Sequence, residues 1–472
     1  MSANRFIKAN VLITSVAIIK PRKYEDNEIS RLMMKSLRGL ACLLCLSMFV
    51  CVQLEAADLM QIYREALEED AQYGAARAAY VAAQERMPQG RAGLLPDIRL
   101  TGVGQNQYIE TSGLPSREIK NRGITATLTQ PLIRFENFII YQQSKNEVAQ
   151  ADAQFIIAAQ DLILRVAQTY FDILKAKIDL EVVESQKKAI HEQLEQARRN
   201  FEVGVSTIVD THEAEARYDL TLSQEIAARN KLEISQHALE VLINRLPNDL
   251  QDASLDKIIA DPLSLPHDGM DEWVGLAEEK NFQLKVQRIA YEISEQDIDR
   301  AKAGHYPTLD LVAQYSDQHG VGGAFTGRGL DIVNKSVGLQ LTVPIFQGLS
   351  VQSRVREALA NRDKARKDME NVQRTIALQV RQNYLNVTNG IAQIKALKQA
   401  LTSSRSQLDS TTLGQEVGVR MEIDVLNAQQ QYFSARRDLA QAYYDYLMAR
   451  LQLKAEVGDL DEDDLLEINA LL

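Results

Sequence analysis

The sequence predicts a mainly helical chain, duplicated within itself, whose long antiparallel coiled-coil helices join four membrane-type β-strands. Three observations predict it. The tetrapeptide EVGV stands at Glu202–Val205 and again at Glu416–Val419; an Asp follows each Gly by six residues (Asp210, Asp424) and a Tyr follows that Asp by eight (Tyr218, Tyr432). Apolar residues recur at steps of three, four or seven through long stretches without Pro, the period of coiled-coil packing. Between them lie short segments in which apolar and polar residues alternate, the period of a strand with two unlike faces.

The bulk numbers agree with that class. A chain of 472 residues with 10 Pro and 1 Trp favours very long helices over several compact domains. Its net charge of −11 excludes a general nucleic-acid coat. From Met34, "MKSLRGLACLLCLSMFVCVQLEAADLM" carries Lys35 and Arg38, an apolar run from Leu40 to Val52, and small residues at Ala56 and Ala57. This reads as a secretory signal cut near Ala56; the run is too short for a helical membrane anchor. A start at Met33 or Met34 accounts for residues 1–32. Cys42, Cys45 and Cys51 then leave with the signal, so no disulfide or thiol chemistry is expected. A lipid anchor at Cys51 is disfavoured by Phe49 and Val50, where small residues belong.

The duplication extends well beyond the tetrapeptide. "RAGLLPDIRL" from Arg91 is answered by "KAGHYPTLDL" from Lys302, "TLTQPLI" from Thr127 by "QLTVPIF" from Gln340, and "TYFDIL" from Thr169 by "NYLNVT" from Asn383. Five segments follow: a removed leader (1–56), a first repeat (57–246), an irregular connection (247–271), a second repeat (272–457) and an acidic tail (458–472).

Each repeat has the same order of parts. A helix over about 58–92, or 272–304, stops before Pro96 or Pro307. Two strands follow, clearest at Val337, Leu339, Leu341, Val343 and Ile345, with Ile124, Ala126 and Leu128 in the first copy and Leu309, Leu311, Ala313 and Tyr315 in the second. Pro131 and Pro344 are expected to close the second strand and open a helix. The helices that follow are seamed by Leu162, Val166, Thr169, Ile173, Leu180, Val183, Ile190, Leu194, Ala197 and Phe201, and by Met369, Val372, Ile376, Val380, Val387, Ile391, Ile394, Leu397, Leu401 and Leu408. The first, over about 133–201, would be about 100 Å long at 1.5 Å per residue. Gly204 and Gly418 then turn the chain, and second helices return over about 207–246 and 420–457, with Ser206 as the expected cap in the first copy.

Four strands of about ten residues match a tilted crossing of a bilayer. Four cannot close a barrel, and open edges are not tolerated in hydrocarbon, so several chains must contribute; three would give twelve strands. The connections "ETSGLPSREIKN" and "GVGGAFTGRGLDIVN" are expected as outer loops of about a dozen residues.

These parts resemble the TolC family of outer-membrane efflux and type I secretion channels, over essentially residues 57–465. The motifs that carry the resemblance are "QPLI" and "VPIF" at the strand-to-helix junctions, "FEVGVSTIVD" at one tip and "QEVGVRMEIDVLNAQ" at the other. The resemblance implies a homotrimer with a twelve-stranded β-barrel in the outer-membrane lipid and an α-helical tunnel in the periplasm. It implies two further partners, a periplasmic membrane-fusion adaptor and an inner-membrane pump of ABC, RND or MFS type. It also implies that Asp424 lines the narrow periplasmic mouth, where a threefold ring of carboxylates binds cations. Asn427 stands where many relatives have a second Asp. Arg420 matches a family residue that ties the inner hairpin to the neighbouring outer one in the closed state, with Asp210 as its expected partner; Gln415 replaces the family's aromatic lock. Val203, Gly204, Val205, Val417, Gly418 and Val419 are where an adaptor would dock.

No catalytic set, metal site or cofactor is expected. The six histidines are scattered, "HEQLE" and "HEAEA" lack a second His, and "GVGGAFTGRG" opens no helix that could cradle a phosphate. The rival from another class is a periplasmic coiled-coil adaptor without a pore. Such a protein has one hairpin between compact β domains, whereas this chain has two hairpins and isolated strands.

Overall fold

The computed structural model describes residues 57–110, 112–113, 116–247, 250–251, 269–322 and 329–472. The expected leader with its three cysteines and most of the 247–271 connection lie outside the described residues. The first repeat holds α1 (Leu59–Glu69), α2 (Ala71–Gln84), α3 (Arg86–Ala92), β1 (Asp97–Ile109), β2 (Arg117–Ile133), α4 (Phe135–Glu202) and α5 (Ile208–Ile243). The second holds α6 (Met270–Lys280), α7 (Phe282–Ala303), β3 (Thr308–Gly322), β4 (Gly329–Thr342), α8 (Ser350–Glu416) and α9 (Glu422–Val457), and α10 (Glu462–Leu471) ends the chain.

Two expected single helices are interrupted, at equivalent places in the two repeats. Asp70 ends α1 and caps α2, its carboxylate accepting from the Tyr73 N–H at 2.6 Å. Asn281, 211 positions on, ends α6 and caps α7, its side chain accepting from the Leu284 N–H at 2.9 Å. The cause is local: a short side-chain acceptor satisfies a helix-start donor better than a continued helix would.

The four strands form one antiparallel sheet in the order β1-β2-β3-β4, so among the described residues the β1 and β4 edges are unpaired. They run to 13, 17, 15 and 14 residues, longer than the ten expected, and take in much of the anticipated loops. Pro131 does not open a helix. It stays in β2 opposite Asp310, where the register slips before Ile133, and α4 begins only after an extended Arg134. Pro344 likewise falls after β4, and α8 waits until Gly348 and Leu349 have turned the chain with φ of 59° and 65°.

The register sorts side chains cleanly. Ile98 and Leu100 face across to Leu128 and Ala126, and these to Ala313 and Tyr315, which meet Val337 and Lys335. This apolar face is bare: Leu100 is 72 % exposed and Val337 77 %. The opposite face is polar and partly buried, with Thr125 and Ser316 hydroxyls 3.2 Å apart and Asp310 buried. A soluble sheet has the reverse arrangement. No described helix is long and apolar enough to cross a membrane.

α4 has 68 residues and α8 has 67, each folded back on a 36-residue partner, α5 or α9. Leu162, Val166, Ile173 and Leu194 are buried along α4, and Ile376, Val380, Val387, Ile394 and Leu401 along α8, as the seam requires. Val182 is buried where Val183 was expected. The densest core lies midway, where Tyr170, Phe171, Tyr443, Tyr444 and Tyr446 are all buried and Phe171 stacks on Tyr444 at 5.6 Å. The acidic tail packs there as α10, burying Leu465, Ile468 and Leu472. Asn469 accepts from the Leu59 N–H and donates to Asp58, so the end of the chain clasps its first helix.

Candidate functional site

The two hairpin tips are built on one plan. At the first, the Val205 and Ser206 N–H groups donate to the Asn200 carbonyl; at the second, those of Val419 and Arg420 donate to the Gly414 carbonyl. Gly204 (φ 78°) and Gly418 (φ 76°) hold the left-handed conformation that these turns require. Val203, Val205, Val417 and Val419 are 65–80 % exposed, so both tips present bare apolar side chains.

Their returning helices start differently. Thr207, not Ser206, caps α5, and it forms a reciprocal box with Asp210: the carboxylate accepts from the Thr207 N–H at 2.8 Å and hydroxyl at 2.9 Å. Those bonds hold the Asp210 carboxyl below its ordinary pKa. Ser206 instead donates to the Ala197 carbonyl. At the second tip Met421 stands in place of Thr207. Asp424 still accepts from its N–H, at a longer 3.3 Å, but Met421 has no oxygen to return the bond. Arg420 Nη1 is 3.8 Å from Asp424 Oδ2. Asp210 thus accepts two short bonds from its own cap residue, while Asp424 accepts one longer bond and has a cation beside it.

Within one chain the carboxylate neighbour of Arg420 is Asp424. Gly414, which the sequence did not single out, explains where the arginine lies. A Cβ there would come within 2.8 Å of Arg420 Cγ, so the long side chain rests in a space that only glycine leaves open. The repeat offset of 214 aligns Gly414 with Asn200, and that difference was the available signal. Asn427 is exposed one turn beyond Asp424, and Gln415 lies in the last turn of α8.

The described histidines stay apart. His191 lies against the Tyr218 ring, His237 Nδ1 is 2.7 Å from Glu240, and His319 lies between Asp317 and Asp331. Among the described residues no three His, Cys, Asp or Glu side chains gather as a metal site.

At the other end, the exposed apolar face of the sheet carries Tyr315 with the Lys335 ammonium 5.7 Å from its ring. An aromatic ring with a long cation beside it suits the level where hydrocarbon meets polar headgroups. Below it, the strand-to-helix junction is fixed by Arg134, whose guanidinium donates twice to Asp310.

Comparison with known proteins matches residues 62–245 and 273–459 to the family model described as "Outer membrane efflux protein", one match for each repeat. The chain is 32 % identical over 416 residues to the outer membrane protein TolC of Vibrio cholerae serotype O1, covering 88 % of this chain and 94 % of that one. It is 31 % identical over 426 residues to the proteases secretion protein PrtF of Dickeya chrysanthemi, covering 88 % and 91 %. Its fold matches the crystal structure of the outer membrane protein VceC from Vibrio cholerae with a TM-score of 0.69 at 18 % identity, covering 85 % and 96 %.

Proposed function

The chain belongs to the outer membrane efflux protein family, and on that premise we propose that it is a passive exit duct gated at the second hairpin tip. It is an outer-membrane channel of the efflux and type I secretion class, with its helical tunnel in the periplasm. The observation that carries the mechanism is the sheet with its apolar face outward and both edges unpaired. Such a sheet is stable in hydrocarbon only when closed, and three copies pairing β4 of one with β1 of the next make a twelve-stranded barrel. The polar inner face then lines water. The helices of the three copies continue that passage, and the transport direction is set by the partners of the duct.

At the mouth, three copies of Asp424 make a ring of carboxylates that holds cations and sets selectivity. With Asn427 in place of a second Asp, the ring is single and its cation block correspondingly weak. Arg420 limits how far α9 swings, a charge-assisted contact that a binding partner can break without unfolding the coils. What supports this assignment is the contrast between tips: Asp210 is held by Thr207, and Asp424 is not. The exposed valines around Gly204 and Gly418 receive a periplasmic adaptor, which links the duct to an inner-membrane pump.

The test is the full chain in a planar bilayer. Discrete conductance steps, with a cation block relieved by Asp424→Asn, are expected; no steps at all would return the chain to the class of periplasmic scaffolds.

A further inference from the structure

The duplication lets one half of the chain report on the other. The long helices lie side by side in the order α5, α4, α9, α8, so α9 is flanked by α4, while α5 and α8 end the row. Equivalent positions are fixed by equivalent packing. Gly93 rests on Asn137 and Gly304 on Val351, which sets α3 and α7 211 positions apart and α4 and α8 214; the tips set α5 and α9 214 apart as well.

Equivalent side chains are nevertheless buried in one place and bare in the other. Met448 of α9 and Phe171 of α4 are 8 % and 0 % exposed, within one core. Their equivalents, Ile234 of α5 and Leu385 of α8, are 61 % and 46 % exposed. One heptad away, Ala455 and Leu164 pack against that core, whereas Val241 and Leu378 are exposed. The first repeat thus carries the face of an α9 that lacks its α4, and the second the face of an α4 that lacks its α9.

We propose that α8 of a neighbouring copy fills the place beside α5, in the register that the repeat dictates. The helix row then closes through the same copies as the sheet, because β4 of one beside β1 of another also sets a second repeat against a first. In that register the partner's Leu385 and the partner's Leu378 cover Ile234 and Val241. Where Gln441 donates to Asp179 at 2.9 Å within the chain, Ala227 lies against the partner's Gln393. Toward the membrane, Gln143 of α4 donates to Asp297 of α7 at 2.8 Å; the equivalents are the partner's Glu357 and Arg86, which carry opposite charges. Glu357 is exposed and makes no ion pair among the described residues, and Arg86, 56 % exposed, engages Glu147 through Nη1. The pairs nearer the tips do not carry over. Arg436 with Glu181 becomes Leu222 with the partner's Lys395, and Asp445 with Lys175 becomes Lys231 with the partner's Asn389. Ion pairing along this seam is therefore assigned to its membrane end.

The seam rests on the trimeric duct proposed above, and the experiment separates the two. Cysteines occur only in the expected leader, so paired substitutions in the full chain can be joined by bis(maleimido)ethane. Ala227→Cys with Gln393→Cys should give covalently linked chains on a denaturing gel. Ala227→Cys with Asn386→Cys, displaced by one heptad or about 10 Å, should give about tenfold less. Glu357→Arg breaks no ion pair of its own chain, yet it should lower the temperature at which the detergent-solubilised trimer dissociates; adding Arg86→Glu should raise it again. A trimer linked by neither cysteine pair, or equally by both, overturns the seam and leaves the duct standing, as does an unchanged dissociation temperature in Glu357→Arg. A monomer that gives no conductance steps overturns both.

Discussion

Arg134 Nε and Nη2 donate to Asp310 Oδ1 and Oδ2 at 2.9 and 2.7 Å, fastening the start of the longest helix to the strand opposite Pro131. Asp310 is buried and Arg134 is 40 % exposed, so water reaches one partner only. Asp310→Ala should cost about 1–2 kcal/mol of stability, less than for a fully buried pair because the abandoned guanidinium can hydrate. Chemical denaturation of the assembled protein measures it; an unchanged midpoint would assign the junction's rigidity to packing alone.

A second ion pair supplies a pH dependence. Asp70 is held below its ordinary pKa, chiefly by hydrogen bonds from Arg165 at 2.8 and 3.0 Å. A lowered carboxyl contributes stability that is fully present above the unfolded value of about 4 and is lost as pH falls through the lowered one. Asp70→Asn keeps a competent cap for α2 but loses the charge. The variant should be less stable by about 1–2 kcal/mol at neutral pH, and the gap should close as pH drops below about 4. A gap that is constant from pH 7 to pH 3 would count against the pair.

The gate makes a gain-of-function prediction. Asn427→Asp adds a second carboxylate one turn from Asp424, and three copies of each would bind divalent cations more tightly. Single-channel recordings should show block at a divalent concentration lower by about tenfold, since each carboxylate ring is a direct source of cation affinity. Arg420→Ser should raise single-channel conductance by freeing α9. No rise would remove Arg420 from the mechanism.

The tip glycines separate strain from docking. Gly418→Ala and Gly418→Arg impose the same left-handed strain, about 1 kcal/mol, and an added Cβ meets nothing within 4 Å. Both should assemble. Only the arginine adds bulk and charge among Val417 and Val419, so only it should abolish export in cells; export retained by both would exclude the tip as an adaptor site.

The face of α5 away from its partner tests assembly. Leu220, Ile234 and Val241 fall on one heptad position and are 61–78 % exposed in the single chain, a stripe that asks for a neighbouring helix. Ile234→Asp with Val241→Asp should shift the protein from trimer to monomer in detergent, measured by light scattering.

Much of this was legible beforehand because it is periodic. A seam of Leu162, Val166 and Ile173, or an alternation such as Val337, Leu339 and Leu341, repeats one physical demand many times, so a single misplaced residue such as Val183 leaves the element intact. The breaks at Asp70 and Asn281 were missed because each depends on one capping side chain within an otherwise helical run. Their common offset between the repeats was the signal that could have found them. The prolines misled for a related reason. Pro131 is compatible with a helix start and with a strand end, and pairing across to Asp310 decides between them.

By itself the sequence determined the duplication, the two hairpins, the glycine at each tip and the two unlike faces of every strand, all consequences of residue type and spacing along one chain. Only the tertiary structure decided how each tip carboxylate is engaged. Asp210 and Asp424 occupy the same position in the same motif, yet Thr207 has a hydroxyl to close a capping box and Met421 does not. Gly414 then leaves room for Arg420 to lie near Asp424. Those contacts depend on where side chains meet in space, so no period in the sequence encodes them.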